Sequence, residues 1–116
     1  GAAKFNDNGN VYGNEIETPD EPSNTVHSKG GFNGNFDYPQ VRRGYNISSI
    51  EKNWTGDYTV NFSTPYPDNN PVVIPSIVGS LGIIQTFGRD RNSVRFKVFD
   101  INGNPQDASV DFTVFK

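Results

Sequence analysis

Tyr58-Thr59-Val60-Asn61-Phe62 alternates apolar and polar side chains residue by residue. Successive side chains of a strand point to opposite sides, so the alternation fits a strand with one packed face and one wet face. Further along, Val94-Arg95-Phe96-Lys97-Val98 and Val110-Asp111-Phe112-Thr113-Val114 repeat the pattern, and upstream Phe32, Phe36 and Tyr38 alternate with polar positions. The run from Val72 to Val78 is more continuously apolar. Pro75 inside it predicts an edge strand or a bulge, because proline donates no ladder hydrogen bond. Turn signals separate the runs at Trp54-Thr55-Gly56, Pro65 to Asn70, Gly88 to Asn92 and Asn102 to Pro105. No window supports a long helix. About seven short strands spaced by such turns predict an all-β fold, an antiparallel β-sandwich or Greek-key fold. Its expected core is Tyr58, Val60, Phe62, Val94, Phe96, Val98, Val110, Phe112 and Val114.

The chain has 116 residues, which suits one domain, and only 33% of them are hydrophobic. Nine Phe, five Tyr and one Trp concentrate that apolar content in large side chains. No run approaches the ~18 apolar residues of a membrane span, so membrane insertion is not expected. Without cysteine there is neither a disulfide scaffold nor a thiolate metal site. The net charge of −3 and a pI near 4.9 argue against nucleic acid as a partner, because such domains present a basic face to phosphates.

Charge divides the chain unevenly. Residues 1–31 hold two Lys against five acids, and residues 32–116 hold eight of each sign, so all the net charge lies in the first quarter. Residues 1–31 also lack a regular apolar period, and Thr18 to Asn24 reads as an extended turn segment. The expected organisation is an extended segment at 1–31, a stalk or interchain contact, followed by a sandwich at 32–116. The opening Gly1-Ala2-Ala3 shows no leader-peptide pattern. Phe99 and Phe115 fall on faces that should be wet. Either they pack under loops at strand ends, or a second surface covers them, as in an oligomer.

Several constellations resemble catalytic or metal sites. His27 is the only histidine, so one chain offers no Ser-His-Asp triad and no two-His metal motif. It reads as an exposed loop histidine or as one of three copies meeting on a three-fold axis. Asp100-Ile101-Asn102-Gly103-Asn104 opens like a calcium loop, but Pro105 stands where that loop needs glycine, and the hairpin-turn reading is favoured. The acids of the strand region lie mostly at turns, where Asp bonds the backbone, and no pair is set for glycoside hydrolysis. The expectation is a protein that is not an enzyme and holds no cofactor and no metal.

Gly44-Tyr45-Asn46-Ile47-Ser48-Ser49-Ile50, then Asn53 to Phe62, then Pro67-Asp68-Asn69-Asn70 resembles the C-terminal, receptor-binding tip domain of bacteriophage tail fibres. Phe32-Asn33-Gly34 is similar to the short entry element of that domain, so the likeness spans roughly residues 32–116. After Val78 it rests on strand pattern. The resemblance implies a small β-sandwich knob assembled as a homotrimer in the virion, facing outward and binding a bacterial surface glycan or other outer-surface receptor. Other fibre or tail proteins would be met through residues 1–31. A trimeric cap or connector without a recognition role is the alternative.

With strand faces committed elsewhere, a ligand is expected on loops at one end of the sandwich. Trp54 stands where the family usually has a small residue, and Tyr66 is flanked by Pro65 and Pro67. Their flat rings suit the apolar faces of sugars. Asp68, Asn69 and Asn70 offer hydrogen bonds to hydroxyls, and Arg89 and Arg91 would add selectivity for anions. For each ring the alternative is structural: Trp54 as a lid on the core, Tyr66 as an interchain contact.

Overall fold

The structure is a computed structural model that describes residues 25–116. The strands are β1 (Val26–Asn33), β2 (Gln40–Tyr45), β3 (Ile47–Trp54), β4 (Asp57–Phe62), β5 (Val72–Val78), β6 (Ile83–Arg89), β7 (Ser93–Phe99) and β8 (Ser109–Phe115). They form two four-stranded antiparallel sheets, ordered β2-β1-β8-β5 and β3-β4-β7-β6. The described residues contain no helix, hence none long and apolar enough to cross a membrane.

Rings from one sheet pack on rings from the other. Phe32 meets Tyr58 edge-on at 5.0 Å, and Phe96 meets Phe112 at 5.8 Å. All nine residues expected in the core are buried, joined by Phe32, Ile50, Tyr66 and Ala108. Strand alternation selected those nine because β4, β7 and β8, three of the four central strands, each present one face to the facing sheet.

Eight strands stand in place of about seven. The additional strand arises at Asn46, which adopts φ 58° and alone separates β2 from β3. One left-handed residue turns the chain out of the first sheet and into the second, and asparagine tolerates that conformation better than most residues. Its side chain fixes the corner: Oδ1 accepts from the Thr64 N–H at 2.7 Å, and Nδ2 donates to the His27 carbonyl at 3.1 Å. A second departure lies upstream. Phe36 and Tyr38 are exposed in the 34–39 loop and are not part of a strand, so only Phe32 of that alternating trio enters the core.

β1 begins at Val26 and pairs with β8 along its length, so residues 26–31 belong to the sheet although the sequence groups them with the preceding segment. Residues 1–24 of the expected stalk lie outside the described residues. β5 is an edge strand, as Pro75 predicts, paired only to β8. Phe99 and Phe115 are half-buried within the chain: Phe99 bridges Pro105, and Phe115 sits between Val26 and Val72.

Candidate functional site

The strand directions sort the loops into two groups at opposite ends of the sandwich. Thr25, Asn46, the 63–71 connection, the 90–92 turn and Lys116 share one end, which holds both ends of the described chain. The 34–39 loop, the Trp54-Thr55-Gly56 turn, residues 79–82 and the 100–108 connection share the other. β4 alone separates the two groups by roughly 17 Å at ~3.3 Å per residue.

This sorting splits the expected ligand site. Tyr66, Asp68, Asn69, Asn70, Arg89 and Arg91 lie at the chain-terminus end, and Trp54 lies at the far end. Tyr66 is only 5% exposed, and its hydroxyl donates to the Phe115 carbonyl at 2.8 Å. Its ring meets His27 edge-on at 5.1 Å. The ring is thus core, held inward by its bond to the Phe115 carbonyl and its contact with His27. Arg91 and Tyr66 hold each other through Tyr66 N–H to the Arg91 carbonyl (2.7 Å) and Arg91 Nε to the Tyr66 carbonyl (3.2 Å). Arg89 donates to the Pro71 carbonyl at 3.1 Å. Asp68 accepts from the Asn70 N–H, and Asn69 from the Arg91 N–H. These bonds tie the two loops together, while Asp68, Asn69, Asn70, Arg89 and Arg91 stay exposed at the surface.

His27 is likewise internal. It is buried against Phe62 and Tyr66, with Ser28 Oγ 2.7 Å from Nδ1 and Asn46 Nδ2 3.2 Å from Nε2. The exposed-loop reading is corrected: two aromatic neighbours and a polar partner at each nitrogen make it a satisfied core histidine. The Asp100 carboxylate accepts from the Asn102 and Asn104 N–H groups at 2.9 and 3.0 Å, with Gly103 at φ 87°. Asn102-Gly103 does tip a turn, but the turn starts a crossover to the other sheet and does not join two strands of one sheet. Those amide bonds and the neighbouring polar groups hold the Asp100 carboxyl below its ordinary pKa range.

At the far end a hydrogen-bonded frame supports the loops. Asp107 accepts from the Gly56 N–H at 2.7 Å, from Lys52 Nζ at 2.7 Å and from the Tyr58 hydroxyl at 3.1 Å. Burial alone would raise the Asp107 pKa, but Lys52 and these donors outweigh it and hold the carboxyl low. The Tyr58 hydroxyl also approaches the Gly34 carbonyl at 2.9 Å and accepts from the Ala108 N–H, while burial pushes its pKa up. Gly56 adopts φ 66°, and a Cβ there would stand 2.5 Å from the Val98 carbonyl oxygen. Glycine lets the Trp54 turn dock against β7.

On that frame the far end presents Phe36, Tyr38, Trp54, Leu81 and Ile101, all exposed, from four separate loops. Trp54 is 75% exposed and Tyr38 87%. Sequence does not single out Leu81 and Ile101, since isolated apolar residues in turns carry no period, and it reads Tyr38 as a strand position. Only the topology shows that they share an end. No protein-family model, curated protein or solved structure matches the chain.

Proposed function

We propose that this chain is a non-enzymatic tail-fibre tip domain that attaches a phage to a glycan on the host-cell surface, and that it works as a homotrimer. The observation that carries this reading is the far end itself. The loops opposite the end where residues 1–24 join hold large apolar and aromatic side chains out in water on a rigid support. Exposed apolar groups gathered this way mark interaction surfaces. A tip domain needs its receptor surface at the end remote from its attachment, and the motif likeness over residues 44–70 points to the same kind of module.

A glycan suits an exposed indole because the ring offers area at little entropic cost, with two side-chain torsions to fix. Binding of the fluorescently labelled full chain to a panel of bacterial strains and purified surface polysaccharides tests the reading. Saturable attachment to some strains, lost in Trp54→Ala at unchanged melting, is the expected result. Attachment to none of them would end it.

A structural cap is the second reading, favoured by one observation. Edge strands β5 and β6 hold Val72, Ile74, Val78, Ile83 and Phe87 exposed on the outer faces of their two sheets. Packing between copies would cover such faces. In this reading light scattering still gives a trimer, but the trimer ignores cells and polysaccharides.

A further inference from the structure

The outer face of the β2-β1-β8-β5 sheet carries a groove of about 970 Å³. Its floor is the backbone of Gly30 and Gly31 on β1, and Arg42, Arg43, Tyr45 and Ile74 stand around it. A Cβ on Gly31 would run into the Asp111 carboxylate and the Arg42 guanidinium. Glycine there lets the Arg42–Asp111 pair, 2.7 Å apart, lie across the strand.

Plain alternation would send Arg42 and Arg43 to opposite faces. The register between β1 and β2 shifts at this point: Gly31 pairs with Arg43 and Phe32 with Val41, leaving Arg42 as the extra residue. A bulge re-aims a side chain in this way, and both arginines line the groove. Lys29, paired across with Tyr45, adds a third cation. Among the described residues neither Lys29 nor Arg43 has a carboxylate partner, and Asp111 is the one acid in the groove. The groove is therefore positively charged on a chain whose net charge is −3.

We propose that this groove binds a linear polysaccharide carrying carboxylates, a polyuronate. The Arg43 fork and the Lys29 ammonium take carboxylates, and Tyr45 and Ile74 receive the apolar faces of the sugar rings. β1 is hydrogen-bonded on both sides, to β2 and to β8, so the floor has no free ladder for an added peptide strand. Recognition there falls to side chains and a flat floor, which suits sugar rings. The choice of a sugar polymer rests on the glycan-binding reading above, but the site is separate from the loop end that holds Trp54.

The test is titration of the full chain with sodium alginate, neutral dextran and dextran sulfate at moderate salt. Parallel titrations use Lys29→Gln/Arg43→Gln and, as a control on the other sheet, Lys97→Gln. Saturable alginate binding is expected, with no binding of dextran and weaker binding of dextran sulfate. The double variant should bind alginate at least ten-fold more weakly at unchanged melting, and the Lys97 variant should match the parent. Four outcomes would overturn the proposal. Alginate does not bind; dextran sulfate binds as tightly and the double variant changes neither; the double variant changes the oligomeric mass, which makes the groove an interface between copies. In the fourth, alginate binds only after Glu15, Glu17, Asp20 and Glu21 are changed to amides, which assigns the groove to the chain's own acidic segment. Attachment to cells through Trp54 without alginate binding refutes the groove alone, whereas a chain that binds no cell and no polysaccharide refutes both readings.

Discussion

Tyr66 in a loop and Trp54 at the end of β3 are both aromatic, yet replacing each by alanine should give opposite results. Tyr66→Ala removes a ring that is 5% exposed and meets His27 edge-on, an arrangement worth ~0.5–1.5 kcal/mol beyond its buried area. It also removes the hydroxyl that caps the Phe115 carbonyl, worth about 1 kcal/mol. With the cavity left behind, the whole cost should fall at ~3–5 kcal/mol, the range for a buried aromatic truncated to alanine. At ~4–8 °C per kcal/mol for a domain near this size, the melting temperature should drop by more than about 10 °C. Tyr66→Phe keeps the ring and should cost only ~0.5–1.5 kcal/mol. Trp54→Ala, by contrast, should stay within ~0.5 kcal/mol of the parent, because its ring is 75% exposed. Urea unfolding of the four proteins, with slopes compared to check that the denatured states are alike, measures all of this. A Tyr66→Ala protein as stable as the parent would refute the assignment of this ring to the core. A Trp54→Ala protein destabilised by more than about 2 kcal/mol would make Trp54 a lid and remove it from the binding surface.

Truncating Phe96 or Phe112 to Ala should destabilise the domain by ~3–5 kcal/mol, since both rings are buried where the two sheets meet; equal melting would break the proposed packing. Asn46→Ala should cost roughly 2 kcal/mol or more, through left-handed backbone strain and the unpaired Thr64 N–H, with Asn46→Gly relieving only the strain. Acid should destabilise the fold. The bidentate Arg95 pair, ahead of the opposing effect of burial, holds Asp57 below its ordinary value of 3.8, and Asp107 is also lowered. Below about pH 4 the unfolded chain therefore binds more protons than the folded one. Stability present at neutral pH is lost as pH falls through the lowered folded values, and Asp57→Asn/Asp107→Asn should flatten that fall in melting temperature.

The central strands were legible because β4, β7 and β8 each keep one buried and one wet face over five or more residues. β1 was not. Its inner positions include Ser28 and Gly30, which give no apolar period, and its Gly30-Gly31 pair reads as a turn signal. β2 is exposed throughout, so nothing in its side chains reports a buried side. The corner at Asn46 was hidden for a different reason: it needs one unusual backbone conformation, and asparagine is common in this chain for other purposes. Asn53 and Asn61, for example, bridge neighbouring strands through Thr59 and Ser49. Tyr66 was misplaced because flanking prolines limit the backbone and say nothing about which way the ring points.

The split of the expected site follows from the same limit. Sequence places Trp54 and the Tyr66 to Asn70 run only twelve residues apart, with one strand between them, and a strand carries its two ends to opposite ends of a sandwich. Loops that share an end are those separated by an even number of strands, so Trp54 joins the 34–39 loop, residues 79–82 and the 100–108 connection. The arginines at 89 and 91 follow the opposite parity and meet the Tyr66 loop, which they brace. Parity thus gives the two ends different sets of loops. The end beside Thr25 and Lys116 ties its loops together by hydrogen bonds, and the far end leaves aromatic and aliphatic side chains exposed to water. Exposed apolar area at loop tips lowers solubility unless a partner covers it, whereas a knitted proximal end gives the stiffness needed to hold such tips outward. Cationic side chains on the outer sheet face between the ends extend the available surface along the strands, at a right angle to the tip.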